Sequence, residues 1–176
     1  MTLAHGFDNQ AFFNALDTRR REQQLSWPAL ARAIWEQSRL LNQRRNDHPI
    51  SPDTIRTMAD RGGLSCQHAL FLLRWLRVTP ETFIADPKPG TAEIALPLAD
   101  ESQRLRWNLR KLYVALNTAR TVRGATWQQA AEHIHCTPSQ LTGLRTAKFA
   151  TGMGLAMRIT QALRRPAADF VYAADW

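Results

Sequence analysis

Residues 126–146 read TWQQAAEHIHCTPSQLTGLRT and carry two successive signals for the start of a helix. In each signal a threonine stands three residues before a glutamine, as Thr126 stands before Gln129 and Thr137 before Gln140. Such a capping box pairs the threonine hydroxyl with a backbone amide of the first turn, while the glutamine side chain returns to the threonine amide. The stretch therefore predicts two short helices separated by a tight turn.

The apolar positions of the same stretch predict how the two helices pack. Ala131 is small where crossing helices come closest, and Leu141 and Leu144 attach the second helix to the first. This is the spacing of a helix-turn-helix, whose second helix faces outward and leads with its N-terminal residues into a DNA major groove. The residues predicted to face outward are Ser139, Thr142, Gly143, Thr146 and Lys148.

The pattern also occurs earlier in the chain. Residues 12–34 align with residues 112–134 at an offset of 100, and later positions align at an offset of 86 or 87. One structural unit is therefore predicted twice, with about 14 additional residues inside the first copy. Matched positions include Leu16 and Leu116, Trp27 and Trp127, Ile55 and Leu141, and Phe83 and Phe170.

Other segments complete the expected secondary structure. Leucines at spacings of three and four predict a helix from Glu101 to Arg120, and similar spacing extends the second helix of the first copy to Leu41. Pro166 is predicted to open a last helix that runs through Val171. Residues 92–100 are predicted to form an extended connector, in which a short strand is possible.

These features resemble the lambda-repressor-like (Cro/C1-type) helix-turn-helix family of bacterial and phage regulators. The resemblance covers residues 104–172 and, more loosely, residues 9–84. It implies an all-α fold of two tandem five-helix lambda-repressor-like helix-turn-helix domains, in which the third helix of each reads base edges. The implied segments are a first domain over 1–86 with an insertion at about 37–50, a connector over 87–103 and a second domain over 104–176.

The resemblance implies DNA contacts in the second copy. Gln128 corresponds to a phosphate contact at the start of the supporting helix, and Thr146 and Lys148 correspond to contacts with the DNA backbone. His135 replaces the usual turn glycine, and Pro138 replaces a glutamine or arginine, so direct base reading by this copy is weak. The remaining residues of the implied interface are Ser139, Gln140, Thr142 and Gly143.

The first copy offers a different set of contacts. Arg56 can bind a guanine with two hydrogen bonds, and Arg61 can meet phosphate. Asp53 would face DNA unfavourably unless it accepts from a cytosine amine. Pro52 and Thr57 complete the corresponding positions. The insertion adds three basic residues that could reach a minor groove or the DNA backbone, namely Arg39, Arg44 and Arg45.

The positive charge is concentrated in the second copy. The chain has a formal net charge of +8, and residues 104–176 contain 11 Lys or Arg against 3 Asp or Glu. Residues 1–90 contain 12 basic and 9 acidic residues, and residues 91–103 contain three acids and no base. This distribution attracts polyanions such as nucleic acid, although a basic surface also occurs without that role.

Several other classes of function are not favoured by the sequence. No secretory signal and no apolar run long enough for a bilayer is visible, so a cytoplasmic location without membrane binding is expected. Cys66 and Cys136 are expected to be reduced thiols. His133, His135 and Cys136 lack the spacing of a zinc site. No metal, no cofactor and no catalytic constellation is therefore predicted, and the chain is not expected to be an enzyme.

Two functions remain open at this point. The first is sequence-specific binding of double-stranded DNA by a cytoplasmic transcriptional regulator that uses two recognition helices in one chain. The second is a protein-binding adaptor or antiactivator that retains the helix-turn-helix fold. A homodimer or a second regulatory protein is a possible partner in either case.

Overall fold

The computed structural model describes residues 6–46, 50–91, 94–146 and 151–176. The described chain is mostly helical, with one small antiparallel sheet. Its α-helices are α1 (Asn9–Glu22), α2 (Trp27–Glu36), α3 (Arg39–Arg45), α4 (Pro52–Arg56), α5 (Cys66–Leu76), α6 (Leu109–Val122), α7 (Trp127–Ile134), α8 (Pro138–Thr142) and α9 (Met153–Leu163). The strands are β1 (Arg104–Trp107) and β2 (Val171–Ala174), and 3-10 helices span Pro80–Phe83, Gly143–Arg145 and Ala167–Phe170. Among the described residues, no helix has the length and apolar character required to cross a bilayer.

The repeated sequence pattern extends to side-chain contacts. Trp27 stacks on Phe13 with ring centroids 5.9 Å apart, and Trp127 stacks on Tyr113 at 5.5 Å. A guanidinium covers each tryptophan, since Arg20 lies 4.2 Å from the ring of Trp27 and Arg120 lies 4.6 Å from that of Trp127. Helices α1, α2, α4 and α5 thus have counterparts in α6, α7, α8 and α9, whereas α3 has none.

The two copies meet through a reciprocal pair of backbone hydrogen bonds. The amide of Cys66 donates to the carbonyl of Thr151 at 2.7 Å, and the amide of Met153 donates to the carbonyl of Leu64 at 3.0 Å. At the repeat offset of 87, Cys66 corresponds to Met153 and Leu64 corresponds to Thr151, so each bond is the counterpart of the other. The contact therefore has the local symmetry of a twofold dimer interface. Helices α5 and α9 begin here and pack against each other, and one continuous apolar core includes residues of both copies.

The small sheet corrects two sequence-based expectations. The predicted helix over 101–120 is wrong at its start, because residues Arg104–Trp107 form β1 and the helix begins at Leu109 after the N-cap Asn108. The predicted final helix is also wrong, because Ala167–Phe170 is a 3-10 helix and Val171 opens β2. The two strands pair antiparallel, with Arg104 opposite Ala174. That pairing joins distant parts of the chain, so local spacing carried no signal for it.

The insertion forms a separate helix, which corrects the expectation of one long second helix. Helix α2 ends at Glu36, and α3 begins after Ser38, whose hydroxyl donates to the carbonyl of Gln103 at 2.6 Å. The amides of Leu40 and Leu41 both donate to the carbonyl of Glu101, at 3.0 and 3.2 Å. These bonds hold α3 against the connector.

Arg74 on α5 joins the same segments. Its guanidinium donates to the carbonyls of Gln37 at 2.8 Å and Ala99 at 2.7 Å, and to the hydroxyl of Ser38 at 2.9 Å. Burial lowers the pKa of this guanidinium, while the charge of Asp100 raises it. The side chain therefore fastens α2, the insertion and the connector to α5.

We expect Arg74→Met to lower the free energy of unfolding by about 2–4 kcal/mol, because several carbonyls lose a charged donor. Urea denaturation measures this loss. The matched control is Arg77→Met at the exposed end of α5, which we expect to change stability by less than about 0.5 kcal/mol. Equal losses in the two variants would contradict the role given to Arg74.

Glu81 gives the fold a pH dependence. The residue is 5% exposed, its Oε1 accepts from the amide of Ala167 at 2.7 Å, and burial raises the pKa of the carboxyl. The folded state thus holds the proton more tightly than the unfolded state. The resulting stabilisation is complete below the ordinary pKa of 4.5 and is lost as pH rises through the raised pKa.

We therefore expect the stability of Glu81→Gln to fall less than that of the native chain as pH rises above 4.5. The difference amounts to about 1.4 kcal/mol for each unit by which the pKa is raised. Thermal unfolding at a series of pH values measures it, with Glu132→Gln on the exposed face of α7 as control. Parallel pH profiles for the native chain and Glu81→Gln would refute this assignment.

Candidate nucleic-acid interface

Helix α8 lies against the core through two leucines and turns its polar residues outward. Leu141 is fully buried and Leu144 is 2% exposed, and α8 continues directly into the 3-10 helix Gly143–Arg145. The predicted capping boxes before α7 and α8 are both confirmed, with side-chain and backbone partners in each. The exposed positions in and after α8 are Ser139, Gln140, Thr142, Gly143, Arg145 and Thr146, of which Arg145 was not singled out from the sequence. Lys148, which the sequence assigned to the same surface, lies outside the described residues.

Several of these polar side chains already have partners within the chain. The Oε1 of Gln140 accepts from the amide of Thr137 at 2.9 Å, and the hydroxyl of Thr142 donates to the carbonyl of Pro138 at 3.2 Å. Gln128, on the first turn of α7, donates to a carboxylate oxygen of Glu132 at 2.9 Å. The face of α8 is therefore exposed but weakly equipped for reading bases.

The corresponding helix of the first copy carries charge instead. Ile55 and Met58 hold α4 to the core, and Asp53, Arg56 and Arg61 are exposed. Arg56 donates to the Asp53 carboxylate at 2.6 Å, with both side chains more than half exposed. This pair keeps a guanidinium on the outer face of α4 but offsets its charge locally. The nearby hydroxyl of Thr57 is bonded to the carbonyl of Asp53 at 2.8 Å.

The three arginines of the insertion do not act as one group. Arg39 forms an ion pair with Glu101 at 3.0 Å, and Arg44 donates to the carbonyl of Asp175 at 2.8 Å. Arg45 lies at the C-terminal end of α3 and lines a cavity beside α4. Only Arg45 is therefore brought next to the N-terminus of α4.

That cavity is a basic feature that sequence reasoning missed. It has a volume of about 560 Å³ and lies between α3, the start of α4, α5 and β1. Arg104 and Arg106 of β1 line it, but the sequence placed both residues in a helix. His68 also lines the cavity, and burial lowers the pKa of its imidazole, which favours the neutral form. The other polar residues lining the cavity are Arg45, Ser51, Thr54 and Gln67.

Neighbouring groups hold the two β1 arginines at this cavity. Arg104 is 6% exposed, and its guanidinium donates to the Asn42 side chain at 2.7 Å. Arg106 donates to the carbonyl of Trp176 at 2.8 Å and lies 4.6 Å from its ring. The cavity thus concentrates positive charge next to the hydroxyls of Ser51 and Thr54, a combination suited to phosphate oxygens.

The cysteines and histidines of the described chain do not converge. No group of three or more His, Cys, Asp or Glu residues in the described ranges is arranged to hold a metal ion. Cys66 and Cys136 are free thiols. Burial raises the pKa of Cys66 to about 12, so this thiol stays neutral and serves as a small apolar side chain.

Comparisons with protein-family models, with curated proteins and with solved structures gave no match to this chain.

The orientation of α8 depends on its N-cap, which gives a direct test of the local geometry. Thr137→Ala removes the hydroxyl that accepts from the amide of Gln140, and we expect stability to fall by about 1 kcal/mol. Urea denaturation measures the effect. Thr118→Ala on the exposed face of α6 makes the same chemical change without removing a cap and should not destabilise the chain. A neutral effect of Thr137→Ala would show that the cap is not needed.

Proposed function

We propose that the chain binds double-stranded DNA sequence-specifically, as a transcriptional regulator built from two tandem lambda-repressor-like helix-turn-helix units. The observation that carries the proposal is the pair of corresponding helices, α4 and α8, each fixed to the core by buried apolar residues and each exposed on its outer face. The excess of basic residues supports the same function.

The contact between the copies supports a dimer-like mode of binding. Family dimers place two recognition helices in successive major grooves about 34 Å apart. Here the reciprocal bonds at Cys66 and Met153 give one chain the local symmetry of such a dimer. Since α4 carries charged residues and α8 carries neutral ones, the expected DNA site has two unequal halves.

The two copies would divide the work of recognition. Arg56 on α4 is the best candidate for a base contact, because a guanidinium can bind guanine with two hydrogen bonds. Asp53 would orient Arg56 or accept from a cytosine amine. Arg45 and Arg106 at the neighbouring cavity would contact phosphate, while the buried Arg104 adds positive charge behind them. On α8, Ser139 and Thr142 would make tolerant contacts, while the basic second copy supplies long-range attraction.

The test is selection from random double-stranded oligonucleotides, followed by fluorescence anisotropy at two salt concentrations. Arg56→Ala should relax the preference at one position and weaken the selected site by about 5- to 150-fold, the equivalent of about 1–3 kcal/mol. Arg45→Ala should weaken all sequences alike and reduce the salt dependence. The exposed Arg77→Ala serves as control. An unchanged site preference in Arg56→Ala would rule out its assigned role.

A protein-binding adaptor remains the second candidate, and the Asp53–Arg56 pair favours it. An exposed ion pair at 2.6 Å presents a mixed-charge face that suits a protein surface as well as DNA. In the same titration, absence of salt-sensitive binding to any duplex at micromolar protein would reject the DNA proposal and support the adaptor.

A further inference from the structure

The second copy contains an apolar groove that the proposed DNA-binding function does not use. It lies between α6, α7 and α9 and has a volume of about 200 Å³. Leu116, Ile134 and Leu163 form its floor, and Ala119, Ala125, Ala130 and Ala162 also line it. We call it the alanine groove. A shallower cavity shares Ala119 and Leu163 and extends the groove along α6.

The first copy shows which side chains are missing from this groove. At the repeat offsets, the four lining alanines 119, 125, 130 and 162 correspond to Arg19, Leu25, Leu30 and Trp75. The guanidinium of Arg19 lies 5.1 Å from the ring of Trp75 and donates to the carbonyl of Leu76 at 2.7 Å. Trp75 itself is only 9% exposed. In the first copy, an aromatic ring and its cationic cover therefore occupy the equivalent space.

The floor of the groove is the same in both copies. Leu116, Ile134 and Leu163 correspond to Leu16, Ile34 and Leu76, so the difference lies in the side chains that fill the space and not in the framework. The second copy therefore keeps the residues that surround the indole ring of Trp75 in the first copy. In place of that ring it has only the methyl group of Ala162.

Two basic residues of the groove's rim occur only in the second copy. Arg123 and His133 line it, and their counterparts in the first copy are the neutral Gln23 and Ala33. Arg120 also lines it, but donates to the carbonyl of Ala125 at 2.7 Å. None of the described residues around the groove is acidic. An apolar interior with a cationic rim is complementary to a ligand with a flat apolar body and one negative charge.

We propose that the alanine groove is a binding site for a small aromatic anion, with the ring in the space that Trp75 occupies in the first copy and a carboxylate or sulfonate against Arg123 and His133. The site is separate from the proposed DNA-binding surface. Binding of the small molecule is measured without DNA, so the result does not depend on whether the proposed DNA binding is correct.

The first experiment titrates the full chain with 1-anilinonaphthalene-8-sulfonate, followed by fluorescence and calorimetry. We expect one site per chain. Ala162→Trp supplies the ring found in the first copy and should weaken binding at least tenfold. Gln43→Trp on the exposed face of α3 adds the same side chain away from the groove and should leave binding unchanged. Undiminished binding by folded Ala162→Trp would overturn the proposal.

The second experiment tests the charge of the ligand. The double variant Arg123→Gln/His133→Ala installs the first-copy residues at the rim. It should weaken the sulfonate at least tenfold but change the affinity for neutral N-phenyl-1-naphthylamine by less than twofold. Equal weakening of both compounds would overturn the assignment of an anion. Because both positions are exposed, this test does not depend on whether Ala162→Trp folds.

The reverse substitution provides a gain-of-function test. The double variant Arg19→Ala/Trp75→Ala opens the equivalent space in the first copy. We expect this variant to bind a second molecule of neutral N-phenyl-1-naphthylamine there, because that site needs no basic rim for a neutral ligand. Circular dichroism establishes that the variant remains folded.

Sedimentation of the native chain tests whether the groove instead binds a second copy of the chain. A dimer that Ala162→Trp dissociates would assign the groove to a second copy of the chain and reject the small-molecule site.

Discussion

The burial of α5 is the constraint on which the rest of the structure depends. Seven of its residues are buried, and the helix packs against α1, α2, β1 and α9. A unit of this size buries only about 60% of the surface of its unfolded chain, so each copy alone would have a small core. Joining the copies through α5 and α9 gives both a common core. It also fixes the relative positions of α4 and α8, which are attached to that core by Ile55 and Leu141.

The two copies keep one framework and differ in what is attached to it. At the offset of 87, Arg74 of α5 corresponds to Gln161 of α9, and Trp75 corresponds to Ala162. The first copy uses these larger side chains to hold the insertion and the connector and to fill its own surface. Gln161 instead accepts from the amide of Lys88 at 2.8 Å, and Ala162 leaves the groove open. Local symmetry therefore sets the framework, while single side chains distinguish the functions available to each copy.

Local sequence signals predicted the parts of the fold that depend on local interactions. The caps at Thr126 and Thr137 and the outward positions of α8 follow from hydrogen bonds and spacings within a few residues. The pairing of β1 with β2 and the break at Ser38 depend on partners far along the chain. The candidate site divides in the same way. The exposure of Arg56 was predictable, and its pairing with Asp53 three residues earlier is also a local contact within α4. The cavity at β1 required the tertiary structure, because it joins segments that are far apart along the chain.

The distribution of ion pairs refines the electrostatic argument for the proposed function. An arginine that donates to a neutral carbonyl oxygen keeps its net positive charge. An arginine paired with a carboxylate forms a neutral pair, whose field far from the protein is weak. In the first copy and its insertion, the arginines that pair with carboxylates include Arg20, Arg21, Arg39 and Arg56. In the second copy, Arg165 pairs with Asp169. Because residues 104–176 contain 11 basic against 3 acidic residues, long-range attraction of DNA would come mainly from the second copy. Recognition of individual bases would fall to the first copy, where the pair with Asp53 holds the Arg56 guanidinium on the outer face of α4.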